Sequence, residues 1–197
     1  MRKTTLSPVF TALFAALICS GSLIAIPVGP VPIVLQNAFA VLSGLLLGPV
    51  AGAGAVALFL LAGALGLPVF SGGRGGIAVL AGPTGGYLAG YLIAAFVAGL
   101  IAATVRTAPR KKALPVIAFA TFAAFVCIYV PGILVLARSL RLSTGDAVAK
   151  GLIPFVAGDI VKIIVLVPIA LKLAPVMARY QGTGKRGDSG KDAGKKG

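Results

Sequence analysis

Along this chain, long apolar runs alternate with short polar joints. No Asp, Glu, Lys or Arg occurs from Thr4 to Gly73, from Gly75 to Val105, or from Ala113 to Ala137. A helix needs roughly 20 apolar residues to cross about 30 Å of hydrocarbon, so the first run alone has room for several crossings and their turns. The pattern predicts helices from Ser7 to about Ala25, Leu35 to Leu47, Val50 to Leu65, Gly82 to Thr104, Ala113 to Ala137 and Leu152 to Leu173. The expected fold is an all-α integral membrane protein, with six transmembrane helices in one bundle over residues 1–178. A basic, disordered cytoplasmic tail is expected over residues 179–197.

Proline and glycine mark where the helices stop. Pro27, Pro30 and Pro32 fall within six residues, and each lacks an N–H and restricts the residue before it. Irregular backbone at membrane depth has to be buried in protein or line a cavity, so this segment reads either as a surface loop or as a lid or pocket wall. Gly48-Pro49 predicts a turn. Pro68 to Gly76 predicts a loop with free backbone amides around Arg74; no Gly-Lys-Ser/Thr follows it, which excludes a phosphate-binding P-loop. Ala12 and Ala16 stand one helical turn apart, which suits either close helix packing or a plain lipid-facing surface.

Charge orients the bundle. Arg2-Lys3, the turn carrying Arg106, Arg110, Lys111 and Lys112, and the stretch from Arg179 onward are basic. Six spans put both termini on one side, and the excess of Lys and Arg places these three clusters in the cytoplasm. The connection from Arg138 to Lys150 is then external, although Asp146 offsets only part of its positive charge. Arg2-Lys3 before an apolar stretch has the form of a leader peptide, but apolar residues resume after Pro32, so the first span is expected to be uncleaved.

Composition narrows the chemistry. The chain is 58% hydrophobic and 11% charged, with a net charge of +14. Its basic residues lie between and beyond the apolar runs, which suits anionic lipid and argues against nucleic acid. There is no His and no Glu; His-based nucleophilic catalysis, His-ligated metal sites and two-carboxylate hydrolysis are therefore not expected, and neither is an enzyme, a metal or a cofactor. Cys19 and Cys127 lie in apolar runs and read as buried thiols, not a disulfide framework.

Asp159 is the one carboxylate inside a predicted span, and Lys162 lies three residues on, on the same helix face. Ionisable groups at membrane depth are costly and tend to mark function. The pair reads either as a self-neutralising couple or as an acceptor and a donor for a polar solute. With both termini cytoplasmic, the pair, the proline segment, the Arg74 loop and the start of the fourth helix at Gly82–Tyr87 fall at the same outer end. That is the layout of a pocket with apolar walls and a few aimed polar groups. Arg74, Thr84, Gly85, Gly86, Tyr87, Gln36 and Tyr129 complete the candidate substrate site, and Asn37 is a further polar position.

At these residues the sequence resembles the BioY family, the biotin-specific S components of energy-coupling factor (ECF) transporters. The matching stretches are Pro27-Val28-Gly29-Pro30-Val31-Pro32-Ile33 with Gln36; Gly63 through Phe70 with the glycines around Arg74; Gly82-Pro83-Thr84-Gly85-Gly86-Tyr87; Tyr129-Val130-Pro131-Gly132; and Pro154 through Asp159 with Lys162. Asn37 departs from the pattern, which leads one to expect Thr or another small residue there. The tail after Arg179 matches nothing in it.

The resemblance implies six helices, an outward-facing biotin site in a bacterial cytoplasmic membrane, and a cytoplasmic complex with one transmembrane coupling subunit and two ATPases. It also implies that Asp159 and Lys162 hold the ligand's polar head, and that Ala12 and Ala16 contact the coupling subunit. Asp159 can accept from the ureido N–H groups of biotin and Lys162 can donate to its carbonyl, while Arg74 or loop amides can meet its carboxylate. Which end of the ligand meets which group stays open. The competing reading is a stand-alone biotin facilitator or an ion-coupled vitamin transporter, whose signature would be further intramembrane carboxylates. A purely structural bundle would bind no solute.

Overall fold

A computed structural model of the chain describes residues 6–26, 30–106 and 108–180. Arg2-Lys3, Pro27–Gly29 and the tail from residue 181 lie outside the described residues.

The described chain is mostly helical. α1 (Ser7–Gly21) starts with Pro8 in its first turn, where a missing N–H costs nothing, and buries Phe14, Ile18 and Gly21 along one face. It ends before the expected Ala25. The chain then forms a short antiparallel pairing of β1 (Ala25–Ile26) with β2 (Ile33–Val34), with Ala25 opposite Val34 and Ile26 opposite Ile33. Residues preceding proline prefer extended backbone, and this corrects the expectation of an uninterrupted helix to Ala25.

α2 (Gln36–Leu47) is buried on almost every side. Gly48, at φ 89°, reverses the chain into α3 (Pro49–Ala64); only a residue without Cβ adopts that backbone freely. Small residues let these helices touch at backbone distance. A Cβ on Gly44 would strike the backbone of Ala95, and one on Gly52 would lie 2.6 Å from Gly44 Cα.

A loop with mutual backbone hydrogen bonds between Phe70 and Arg74 leads to a short helix, α4 (Ile77–Ala81), in the interval between the expected loop and the helix expected from Gly82. α5 (Gly85–Ala103) and α6 (Arg110–Leu140) follow. α7 (Thr144–Gly151) occupies what was expected to be a plain polar connection; the Ser143 hydroxyl accepts from the Asp146 N–H at 3.1 Å and caps it. α8 (Ile153–Tyr180) runs beyond the expected Leu173.

Three of these helices are long and apolar enough to cross a membrane: Gly85–Ala103, Arg110–Leu140 and Ile153–Met177. α1, α2 and α3 are apolar but shorter. Large apolar side chains, among them Phe119, Phe122, Ile160 and Ile164, face outward from α6 and α8, as a lipid solvent requires. Cys19 and Cys127 are free thiols packed against the core, half-buried where burial was expected.

Candidate functional site

Four helices bring polar side chains together at one end of the bundle. α2 begins there with Gln36 and Asn37, α5 with Tyr87 and Tyr91, α6 passes it at Tyr129, and α8 passes it at Asp159 and Lys162. Between them lies a partly open cavity. Val31, Val34, Phe70, Leu88, Ile128 and Phe155 make it largely apolar.

The centre of the site is a four-residue cluster. Lys162 Nζ donates to Asp159 Oδ1 at 3.0 Å and to Asn37 Oδ1 at 2.9 Å. Asn37 Nδ2 donates to Asp159 Oδ1 at 3.4 Å. The Tyr129 hydroxyl donates to Asp159 Oδ2. The side chains of Lys162 and Asp159 are only 11% and 7% exposed. A charge pair taken out of water is tolerable when its remaining lone pairs and protons are also satisfied, and Asn37 and Tyr129 supply those partners. The pair is thus engaged with more than itself, and it borders open space instead of filled core. Lys162, Asn37 and Tyr129 line the cavity; Asp159 braces all three.

The other expected residues fall into three groups. Gln36, Arg74, Thr84 and Tyr87 also line the cavity. Gln36 Nε2 donates to Val69 O at 3.4 Å and ties the start of α2 to the loop before α4. Arg74 stays exposed at the rim, its Nε donating to Ser71 O at 3.1 Å. The Tyr87 hydroxyl is engaged away from the cavity, donating to Gly151 O at 2.9 Å. Its ring stands edge-on to that of Tyr129, with centroids 6.1 Å apart, so Tyr87 offers the cavity an aromatic wall.

Gly85 and Gly86 form the second group and are not among the cavity-lining residues. A Cβ on Gly85 would strike Leu80 O and one on Gly86 would strike Pro131 O. These glycines let α5 approach α4 and α6, which sets Thr84 and Tyr87 in place. Ala12 and Ala16, the third group, are exposed on α1, so no other part of the described chain covers them.

One residue escaped the sequence reading, and one is more central than it implied. Asn37, a further polar position whose departure from the family pattern put a direct role in doubt, bonds both members of the ion pair. Ser71 lines the cavity beside Arg74, and its buried hydroxyl has no hydrogen-bond partner among the described residues. Asn37 had one signal, an amide at a helix start within a charge-free run. Ser71 had none beyond its place in a Gly-rich loop. Among the described residues there is no cluster of His, Cys, Asp or Glu able to hold a metal ion.

Comparison with known proteins places this geometry in context. The model of the BioY family matches residues 1–179. The chain is 42% identical over 161 residues to the biotin transporter BioY of Thermotoga maritima, covering 82% of this chain and 91% of that protein. It is 41% identical over 182 residues to the biotin transporter BioY of Rhodobacter capsulatus, covering 88% and 93%. Among solved structures it is similar to the S-component for biotin from an ECF-type ABC transporter. That match has a TM-score of 0.75 and 31% identity, and it covers 85% of this chain and 89% of that one.

Proposed function

The chain belongs to the BioY family, and from that premise we propose that it binds biotin and serves its uptake as the substrate-specific subunit of an ECF-type transporter. It is a transport protein and not an enzyme. The observation that carries the binding reading is the Asp159–Lys162–Asn37–Tyr129 cluster bordering a largely apolar cavity.

Biotin suits that cavity at both ends. Its ureido group offers N–H donors and a carbonyl acceptor, which the amide, ammonium and carboxylate of the cluster can match. Its bicyclic ring and valeryl chain suit the walls made by Phe70, Leu88, Tyr91 and Phe155. Arg74, with the Ser71 hydroxyl beside it, lies where a carboxylate at the rim would be met by charge-assisted hydrogen bonds. Asp159 acts chiefly by holding Lys162, Tyr129 and Asn37 in register. Thr84, Gln36 and Tyr87 shape the walls, and Gly85 and Gly86 act through packing.

The wider reading has six crossings over residues 1–178, both termini cytoplasmic, in a bacterial cytoplasmic membrane, with a basic tail from residue 179. Its support is that Ser7 and Pro8 border the same surface groove as Leu47 and Pro49, that Arg106 lies beside Gly48, and that Arg106 and Arg110 share a cavity with Ala174 and Pro175. The start of α1, the basic turn and the end of α8 thus share one end of the bundle, where the positive-inside rule puts the cytoplasm. No nucleotide-binding motif occurs in the chain, so ATP-driven uptake requires a coupling subunit and two ATPases. The exposed Ala12 and Ala16 offer a small-residue face to the former.

Equilibrium binding of labelled biotin to the purified protein tests the site. Lys162→Ala is expected to weaken binding by about 100-fold or more, the scale for breaking a buried charged hydrogen-bond pair. Affinity unchanged in both Lys162→Ala and Asp159→Ala would remove the cluster from the site.

A further inference from the structure

At the end of the bundle away from the biotin cavity, a second, partly open cavity lies between α2, α5, α6 and α8. Two of its lining residues are cationic: Arg106, in the turn after α5, and Arg110, at the start of α6. The rest are apolar, including Leu45, Val105, Ile117, Leu171, Ala174 and Pro175. Arg106 is half-buried, and its Nη2 donates to Leu46 O at 2.9 Å, which fixes the guanidinium at the inner wall. Burial pulls that guanidinium below its ordinary pKa, yet an arginine stays charged at neutral pH. Arg110 is exposed at the rim, and on the same turns of α6 and α8 the apolar side chains of Leu114, Leu173 and Val176 are exposed too.

This combination selects its occupant. A small soluble anion would meet the arginines but leave the apolar walls wet. An acyl chain alone would cover the walls but match neither of the two cationic side chains that line the cavity. A molecule with a phosphate and a hydrocarbon tail satisfies both, and basic pockets between membrane helices near the surface suit anionic headgroups. We infer that this cavity holds one anionic phospholipid, its phosphate between Arg106 and Arg110 and an acyl chain along Ile117, Leu171 and Pro175. The inference is independent of the biotin reading.

Native mass spectrometry of the full chain, equilibrated with equal amounts of phosphatidylglycerol and phosphatidylcholine, tests it. The unaltered protein is expected to retain phosphatidylglycerol preferentially. Arg110→Gln, which removes charge at the rim, and Ala174→Phe, which fills the cavity and leaves every charge in place, are each expected to cut that retention about fivefold. Their thermal unfolding should stay near that of the parent, which separates loss of the site from loss of the fold. Replacing the exposed neighbours Lys111 and Lys112 together by Gln should change retention by less than about twofold. An equal loss in that double variant would mean a diffuse basic surface and overturn the site, as would unchanged retention in Arg110→Gln and Ala174→Phe. Displacement of the lipid by inorganic phosphate at equal concentration would assign the arginines to a soluble anion and overturn it as well.

Discussion

Of the three helices that supply the residues around Asp159, α2 and α8 are held in place by different means. α2 is enclosed on nearly all sides, carries no charge, and touches α3 and α5 through Gly44 and Gly52 at backbone distance. α8 is more than twice as long, turns Ile160, Val161, Ile164 and Val165 outward, and carries the ion pair. Packing positions Asn37, whereas Asp159 and Lys162 depend on hydrogen bonds across the bundle for their final orientation. Changes in α2 should therefore act first on folding, and changes at the polar positions of α8 should act first on binding.

The largest effect should come from the packed side. Gly44→Leu drives a side chain into the backbone of Ala95, and overpacking of this kind costs about 3 kcal/mol or more where backbone is struck. Little folded protein should survive detergent extraction and size-exclusion chromatography. A monodisperse Gly44→Leu protein with ordinary thermal stability would break the contrast between the helices.

Next comes Asp159→Ala, which strips Lys162 and Tyr129 of their shared acceptor. Biotin affinity should fall by about 100-fold, while the protein still elutes as a folded species. Loss of fold and binding together would make α8 as structural as α2.

Asn37→Ala sharpens the comparison, because Asn37 sits on the packed helix but works in the polar cluster. Removing one neutral amide should weaken binding by about tenfold, near the worth of one hydrogen bond, and isothermal titration with biotin would measure it. Tyr87→Phe is the mildest. It removes the bond to Gly151 O and leaves the aromatic wall, so biotin affinity should stay within about twofold and stability should fall by about 1 kcal/mol. A large affinity loss would mean that the hydroxyl turns to the ligand.

The legible parts of the site were those whose geometry is local. Asp159 and Lys162 share a face because they are three residues apart on one helix, and a charge-free background makes them conspicuous. Their union with Asn37 and Tyr129 joins residues 122 and 30 positions apart from Asp159, which depends on how helices settle against one another. The same limit explains Gly85 and Gly86. A glycine pair beside a polar helix start reads equally well as a ligand-approach site or as a packing notch, and only the positions of Leu80 and Pro131 decide between them. Helix cores were readable from apolar runs, but ends were less so. α1 stops short because β1 and β2 pair around a proline segment, and α7 forms because Ser143 caps a stretch whose polarity suggested only a connection.

α2 is also fastened at both extremities: Asn37 bonds Lys162 and Asp159 near its first turn, and the Leu46 carbonyl near its last receives the Arg106 guanidinium. Between those moorings runs about 14 Å of proline-free helix, clamped by Ala95 and Gly52. Such an element behaves as a strut. An axial shift at the Asn37 end would be carried to the Gly48 turn, linking the two ends of the bundle through a single short helix.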